Sequence, residues 1–106
     1  MARALGMTTV AVLAAVERRV QFGLDISRGT GLQAGTVYTV LRRLERRGWV
    51  QGQWEDAAVA EAERRPRRRY YTLTSEGADG LHEARRRLGG LAAGIGLEMP
   101  VPEGGE

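Results

Sequence analysis

A chain of 106 residues is long enough for one compact domain with a modest core and too short for a second independent one. It has no cysteine, which excludes disulfides, thiolate nucleophiles and Cys-based metal sites; no apolar run approaches the ~20 residues that span a bilayer, so a cytoplasmic protein without a membrane segment is expected. The net charge is +3, every basic residue is Arg, and up to position 69 thirteen Arg stand against seven acids, so an anionic partner is sought in the first two thirds of the chain.

Thr8 or Thr9 can cap a first helix running to about Gln21, with Val10, Leu13, Ala14, Glu17 and Val20 along one side. Val12 and Val16 make a second, narrower apolar stripe. A helix apolar on two sides contacts its own core and something else, here a partner subunit. Leu24 to Ser27 read as a short helix closed by Arg28, Gly29, Thr30 and Gly31. Val37, Val40, Leu41 and Leu44 then fall at i, i+3, i+4 and i+7 with Arg42, Arg43, Arg46 and Arg47 between and beyond them, which predicts an amphipathic helix with a basic outer side, stopped by Gly48. Two helices joined by a Gly-containing connection are the elements of a helix-turn-helix.

Trp49 to Trp54 and Arg69 to Thr74 read as the strands of an antiparallel hairpin. The polar stretch from Glu55 to Arg68 is expected to be a flexible loop, the wing, with Glu55 and Asp56 as solubilising acids at the strand end. Thr74 or Ser75 can cap a last helix carrying Leu81, Ala84, Leu88, Leu91 and Ile95 at alternating spacings of three and four. Gly89, Gly90, Gly94 and Gly96 weaken its second half, which needs a packing partner. The predicted protein is therefore mainly α with a small β-hairpin: a winged helix-turn-helix over 1–75, a C-terminal dimerisation helix over 76–97, and a disordered tail over 98–106.

The blocks Gly35-Thr36-Val37-Tyr38 with Leu41-Arg42-Arg43-Leu44-Glu45-Arg46-Arg47-Gly48, and Arg69-Tyr70-Tyr71-Thr72-Leu73-Thr74-Ser75-Glu76-Gly77, with Trp54 between them, resemble the PadR family of bacterial transcriptional regulators over about residues 8 to 90. The resemblance implies a homodimer, held by the C-terminal helix against the partner's N-terminal region, that binds a palindromic operator and represses the adjacent gene. Two features depart from the family pattern. Leu24 stands after Gly23 where a Tyr is usual, and the wing is rich in Glu and Ala.

A helix of this kind fits the major groove, and its N-terminal end faces the bases. Gln33, Thr36 and Thr39 are the candidates for base edges, and Tyr38, Arg42 and Arg43 for flanking phosphates. In the wing, Arg64, Arg65, Arg67, Arg68 and Arg69 form the densest cationic cluster, suited to phosphates or the minor groove. Strand alternation puts Tyr71 and Leu73 toward the core and leaves Tyr70 for a surface role. The bland alternatives are a solvated helix face and a loop whose Glu61 and Glu63 neutralise its own cations. Val12, Val16, Leu81, Leu88, Leu91 and Ile95 are the candidate dimer contacts, expected to be partly exposed in a single chain.

Trp49 and Trp54 read first as hairpin packing residues and, alternatively, as walls of an effector pocket at the dimer interface. His82 is the only histidine and is expected in solvent, so neither a metal site nor another cofactor is expected. No oriented nucleophile and no Gly-rich phosphate loop is present, which argues against an enzyme. The rival in another class is a winged-helix module that engages an acidic protein rather than DNA.

Overall fold

The computed structural model describes residues 5–96; the predicted tail over 98–106 lies outside the described residues. The elements run α1 (Met7–Glu17), α2 (Gly23–Thr30), α3 (Ala34–Arg46), β1 (Val50–Trp54), α4 (Ala57–Ala62), β2 (Arg69–Leu73) and α5 (Ser75–Gly94). Except for α4, each matches a predicted element. None of the helices is long and apolar enough to cross a membrane.

Helix α1 starts one residue before the expected caps, at Met7 behind Gly6, and ends at Glu17 rather than near Gln21. Its end is a Schellman closure in which Arg19, at φ 68°, takes the left-handed position. The Arg19 amide donates to the Val16 carbonyl and the Val20 amide to Ala15, both at 3.0 Å. The chain beyond this turn is extended rather than helical. Phe22 bridges Tyr70, and the Tyr71 amide donates to the Gln21 carbonyl at 3.1 Å, so this segment adds a short third edge to the hairpin.

α1 packs against α2, α3, β2 and α5 at once. That arrangement explains its two apolar stripes: Val12 and Leu13 are fully buried and Val16 is nearly so. Both stripes therefore belong to the chain's own core. The expectation that Val12, Val16 and Leu81 remain partly exposed in one chain is wrong, because all three lie in the core cluster: α1 packs on α2, α3, α5 and β2, and α5 on α1 and β2.

Helix α2 stops at Gly31, φ 77°. The turn into α3 is held by two hydroxyls. Ser27 Oγ donates to the Leu32 carbonyl at 2.6 Å, and Thr30 Oγ1 accepts from the Leu32 amide at 3.2 Å. In α3 the four residues with the predicted spacing, Val37, Val40, Leu41 and Leu44, are all buried, which rotates the Arg-bearing side outward. Gly48, φ 76°, closes α3 and turns the chain into β1, which pairs with β2 from Val50↔Leu73 to Trp54↔Arg69. Thr74 joins these ends. Its Oγ1 donates to the Gly48 carbonyl at 2.6 Å and accepts from the Gly77 amide at 3.1 Å, capping α5.

The segment between the strands is not a structureless loop. Asp56 accepts from the Ala58 amide at 2.9 Å and caps α4, whose Ala60 is buried. An N-cap Asp followed by Ala-Ala-Val-Ala is a helix start in favourable residues. The second half of α5 protrudes: Leu91 and Ile95 are 64% and 66% exposed, and Leu88 is half-buried.

Candidate nucleic-acid interface

The outer side of α3 is a row of exposed side chains. Gln33 is its N-cap residue and makes no side-chain capping bond. Thr36, Tyr38, Thr39, Arg42 and Arg43 follow, all exposed. Thr39 Oγ1 donates to the Gly35 carbonyl at 2.9 Å, which presents its methyl rather than its hydroxyl proton. Arg42 and Arg43 have no carboxylate partner among the described residues, so their guanidiniums remain available to phosphates.

Two hollows flank this row. One lies toward the start of α1, where Thr8 and Thr9 meet Gln33, Thr36, Thr39 and Arg43. No pattern around Thr8 and Thr9 points to a role beyond capping. The other is a groove between α3 and the wing, floored by Tyr38 and Arg42 and walled by Trp54, Arg67 and Arg68. Tyr38 reaches it by lying against Gly23 of α2. A Cβ at Gly23 would overlap the tyrosine ring, its atom Cζ at 2.6 Å, so the glycine sets where the phenol sits. Leu24, the departure from the family pattern, is exposed on the same side.

The Arg cluster of the wing divides into two groups. Arg65 is turned inward: its Nη1 and Nη2 donate to Glu55 Oε1 and Oε2 at 2.6 and 2.8 Å, and its Nε donates to Glu63 at 3.0 Å. Arg69 donates to Glu45 of α3 at 2.7 Å, lies across Gly52, and stacks 5.3 Å from the Trp54 ring centre. These two of the predicted contact residues are spent on tying the hairpin to itself and to α3. Arg64, Arg67 and Arg68 are exposed, and none has a carboxylate partner among the described residues. Arg67 Nε donates to the Glu55 carbonyl at 2.8 Å, and the Arg68 guanidinium rests 4.9 Å from the centre of Phe22. Tyr70 is half-buried with its ring edge-on to Phe22 at 6.0 Å, so it supports the wing more than it projects from it.

Glu55 is the residue whose role the sequence hid. Read as a solubilising acid, it is instead buried and accepts from both nitrogens of Arg65 and, at 3.3 Å, from the Arg68 amide. The hydrogen bonds from Arg65 hold its carboxyl well below the usual carboxylate range, at about 2. Nothing in an isolated Glu-Asp pair signals this, because the partner lies beyond a helix that the composition only hinted at.

The two tryptophans do not share a pocket. Trp49 packs its ring on Gly80 of α5 under Arg47, while Trp54 is 55% exposed in the groove by α3. His82 is exposed, and no group of three potential metal ligands occurs among the described residues.

The fold is shared with solved regulators. A PadR family transcription regulator from Clostridium difficile superposes with a TM-score of 0.68 at 23% identity, covering 85% of this chain and 94% of that one. A PadR family transcriptional regulator from Eggerthella lenta gives 0.67 at 26% identity, covering 83% and 77%. BpsR of Bordetella bronchiseptica gives 0.69 at 23% identity, covering 92% and 70%. No curated protein sequence matches. The model of the PadR-like transcriptional regulator family matches residues 12–83, from the middle of α1 into α5. With the two hairpin strands and the helix-turn-helix inside those limits, the chain belongs to the PadR-like family, which is one of transcriptional regulators and not of enzymes.

Proposed function

We propose that the protein is a sequence-specific DNA-binding regulator that works in the cytoplasm as a homodimeric repressor on a palindromic operator. The observation that carries this reading is the juxtaposition of the exposed cationic side of α3, through Arg42 and Arg43, with Arg67 and Arg68 of the wing, none of these arginines having a carboxylate partner among the described residues. A duplex offers phosphates to both and a major groove, ≈12 Å wide, to the helix between them. An effector that modulates binding belongs to the proposal, since BpsR, which has this fold, is regulated in its DNA binding by 6-hydroxynicotinic acid.

The dimer is assigned to the protruding end of α5, the unit over 76–97, through Leu88, Leu91 and Ile95. Burying aliphatic side chains of this size is worth roughly 1.5–3 kcal/mol each before ordering costs. Leu91→Glu with Ile95→Glu is therefore expected to convert the protein to monomer in light scattering and to reduce operator affinity steeply; a dimer that survives both changes places the interface elsewhere. Symmetry then spaces the half-sites about 34–36 Å apart.

Selection of bound sequences from random duplexes, followed by gel shifts in competitor DNA, tests the function. A palindromic consensus is expected, and failure to bind any duplex at low salt would favour an acidic protein partner. Gln33→Ala or Thr36→Ala should change preference by about 1–3 kcal/mol at one base position. Arg68→Ala should instead weaken all sequences alike and flatten the log-log salt dependence by roughly 0.9 per subunit, about 1.8 for the dimer. Equal losses on every operator variant in the first case would move the reading end away from the start of α3.

A further inference from the structure

The groove between α3 and the wing contains more ring surface than a DNA backbone can use. Its volume is about 750 Å³, within the range of small-molecule sites. Trp54 and Tyr38 are 55% and 41% exposed there, beside the half-buried Phe22. Arg42, Arg67 and Arg68 line the same space and are without carboxylate partners among the described residues, whereas the acids of the groove are engaged: Asp25 lies 3.6 Å from Arg28, and Glu45 holds Arg69.

Rings and guanidiniums together specify the ligand. The outside of a duplex presents phosphates and sugars while its bases stay stacked within, so it satisfies the three cations and offers nothing planar to the aromatic walls, which meet guanidiniums of this chain, Arg67 and Arg69 at Trp54 and Arg68 at Phe22. A monocarboxylate on an aromatic ring satisfies the walls and only one of the cations. A planar base joined to two or three phosphates meets both demands, the base on the aromatic side chains and the phosphates on the guanidiniums. We infer that this groove is a binding site for a nucleoside di- or triphosphate. Its occupant uses Tyr38 and Arg42, which the proposed function gives to DNA, so nucleotide and duplex exclude one another.

Calorimetric titration of the full chain with ATP, tripolyphosphate, adenosine and benzoate, without magnesium and without DNA, decides the matter. ATP is expected to bind at least about tenfold more tightly than each of the other three, because each offers only part of what the groove recognises. Trp54→Ala should lower ATP affinity to the tripolyphosphate level and leave tripolyphosphate unaffected; Trp54→Phe should retain most of the ATP affinity; Arg42→Gln with Arg68→Gln should weaken both. Trp54 is exposed at the end of β1, so circular dichroism is expected to report an intact fold in its variants. Tripolyphosphate, adenosine or benzoate binding as well as ATP, or an ATP affinity indifferent to Trp54→Ala, overturns the assignment. Because no duplex is present, these titrations stand even if the chain binds no DNA. ATP that binds as described but fails to displace operator would instead count against the placement of DNA on this side of α3.

Discussion

Gly77→Ala is expected to destabilise the domain by about 3 kcal/mol, while Gly90→Ala on the same helix is expected to stabilise it by up to about 1 kcal/mol. The residues look alike in sequence, two glycines within one helical pattern. They differ in what a methyl group would meet. At Gly77 a Cβ would overlap the carbonyl oxygen of Trp49, with the carbonyl carbon at 2.9 Å and Leu73 Cδ1 at 3.1 Å. The obstacle is backbone, and that backbone is fixed from both sides: the Thr74 amide donates to this carbonyl at 3.1 Å, and Thr74 Oγ1 caps the helix at the Gly77 amide. Relief requires α5 to back away from the Trp49 backbone, which would withdraw Leu81 from the core. At Gly90 nothing lies within 4 Å, and only the entropy of a glycine in a helix is at stake. Thermal unfolding at a single fixed protein concentration separates the two; about 4–8 °C per kcal/mol puts the midpoints more than about 12 °C apart. If Gly77→Ala melts with the parent protein, the packing of Gly77 against the Trp49 carbonyl is wrong.

Much of this architecture is legible in the sequence because one periodicity meets one environment. α3 is the clearest case: four apolar residues at helical spacing, a Gly at the stop and Arg elsewhere leave a single way to rotate the helix. The cap at Thr74 and the pairing of β1 with β2 follow equally from local signals. α1 shows the limit of that logic. Two apolar stripes identify a helix with two neighbours but do not say whether the second neighbour belongs to the same chain; here α2, α3, β2 and α5 together surround it. Arg19 in the left-handed position, where a Gly was the legible signal, ended α1 without notice.

In the candidate interface the exposed residues of α3 could be named from the pattern, since exposure follows from rotation. The roles of the wing arginines could not, because five similar side chains in six positions differ only in which acid each one meets. Glu55 and Glu45, ten and twenty-four residues away from their partners, make that distinction. The same long-range pairing explains why the Ala-rich segment folds as α4: Ala60 is buried and the chain on either side of it is tied by Glu55 and Arg65.

From this follows a result opposite to what charge alone dictates: Glu55→Gln, which removes a negative charge from the DNA-facing region, should weaken operator binding by about tenfold. The wild-type carboxylate fastens both ends of the wing, through Arg65 on one side and the Arg68 amide on the other, while the backbone of Glu55 accepts from Arg67 Nε and donates its own amide to Arg68 at 2.8 Å. Without it, Arg67 and Arg68 reach a duplex only after the segment is ordered anew, at about 1–2 kcal/mol for each backbone residue fixed. Arg65, released from Glu55, still donates to Glu63 at 3.0 Å, and whatever cationic charge it exposes is screened by salt and outweighed by the ordering. Hydrogen exchange should show the amides of 56–68 losing protection in Glu55→Gln, and the pair Glu55→Arg with Arg65→Glu should restore only part of the protection and affinity, because the ion pair re-forms while the Arg68 amide still lacks its acceptor and position 65 now faces Glu63. Acid should act as the substitution does. The folded-state pKa of about 2 lies below the ordinary value of 4.5, so the contribution of this carboxylate is complete above about pH 4.5 and is lost as the pH falls from there toward 2. Protection of 56–68 should fade across that interval in the wild type and show no such step in Glu55→Gln. Operator binding that tightens in Glu55→Gln would mean that the wing presents its cations without this anchor, and that Glu55 acts only as a charge opposing DNA.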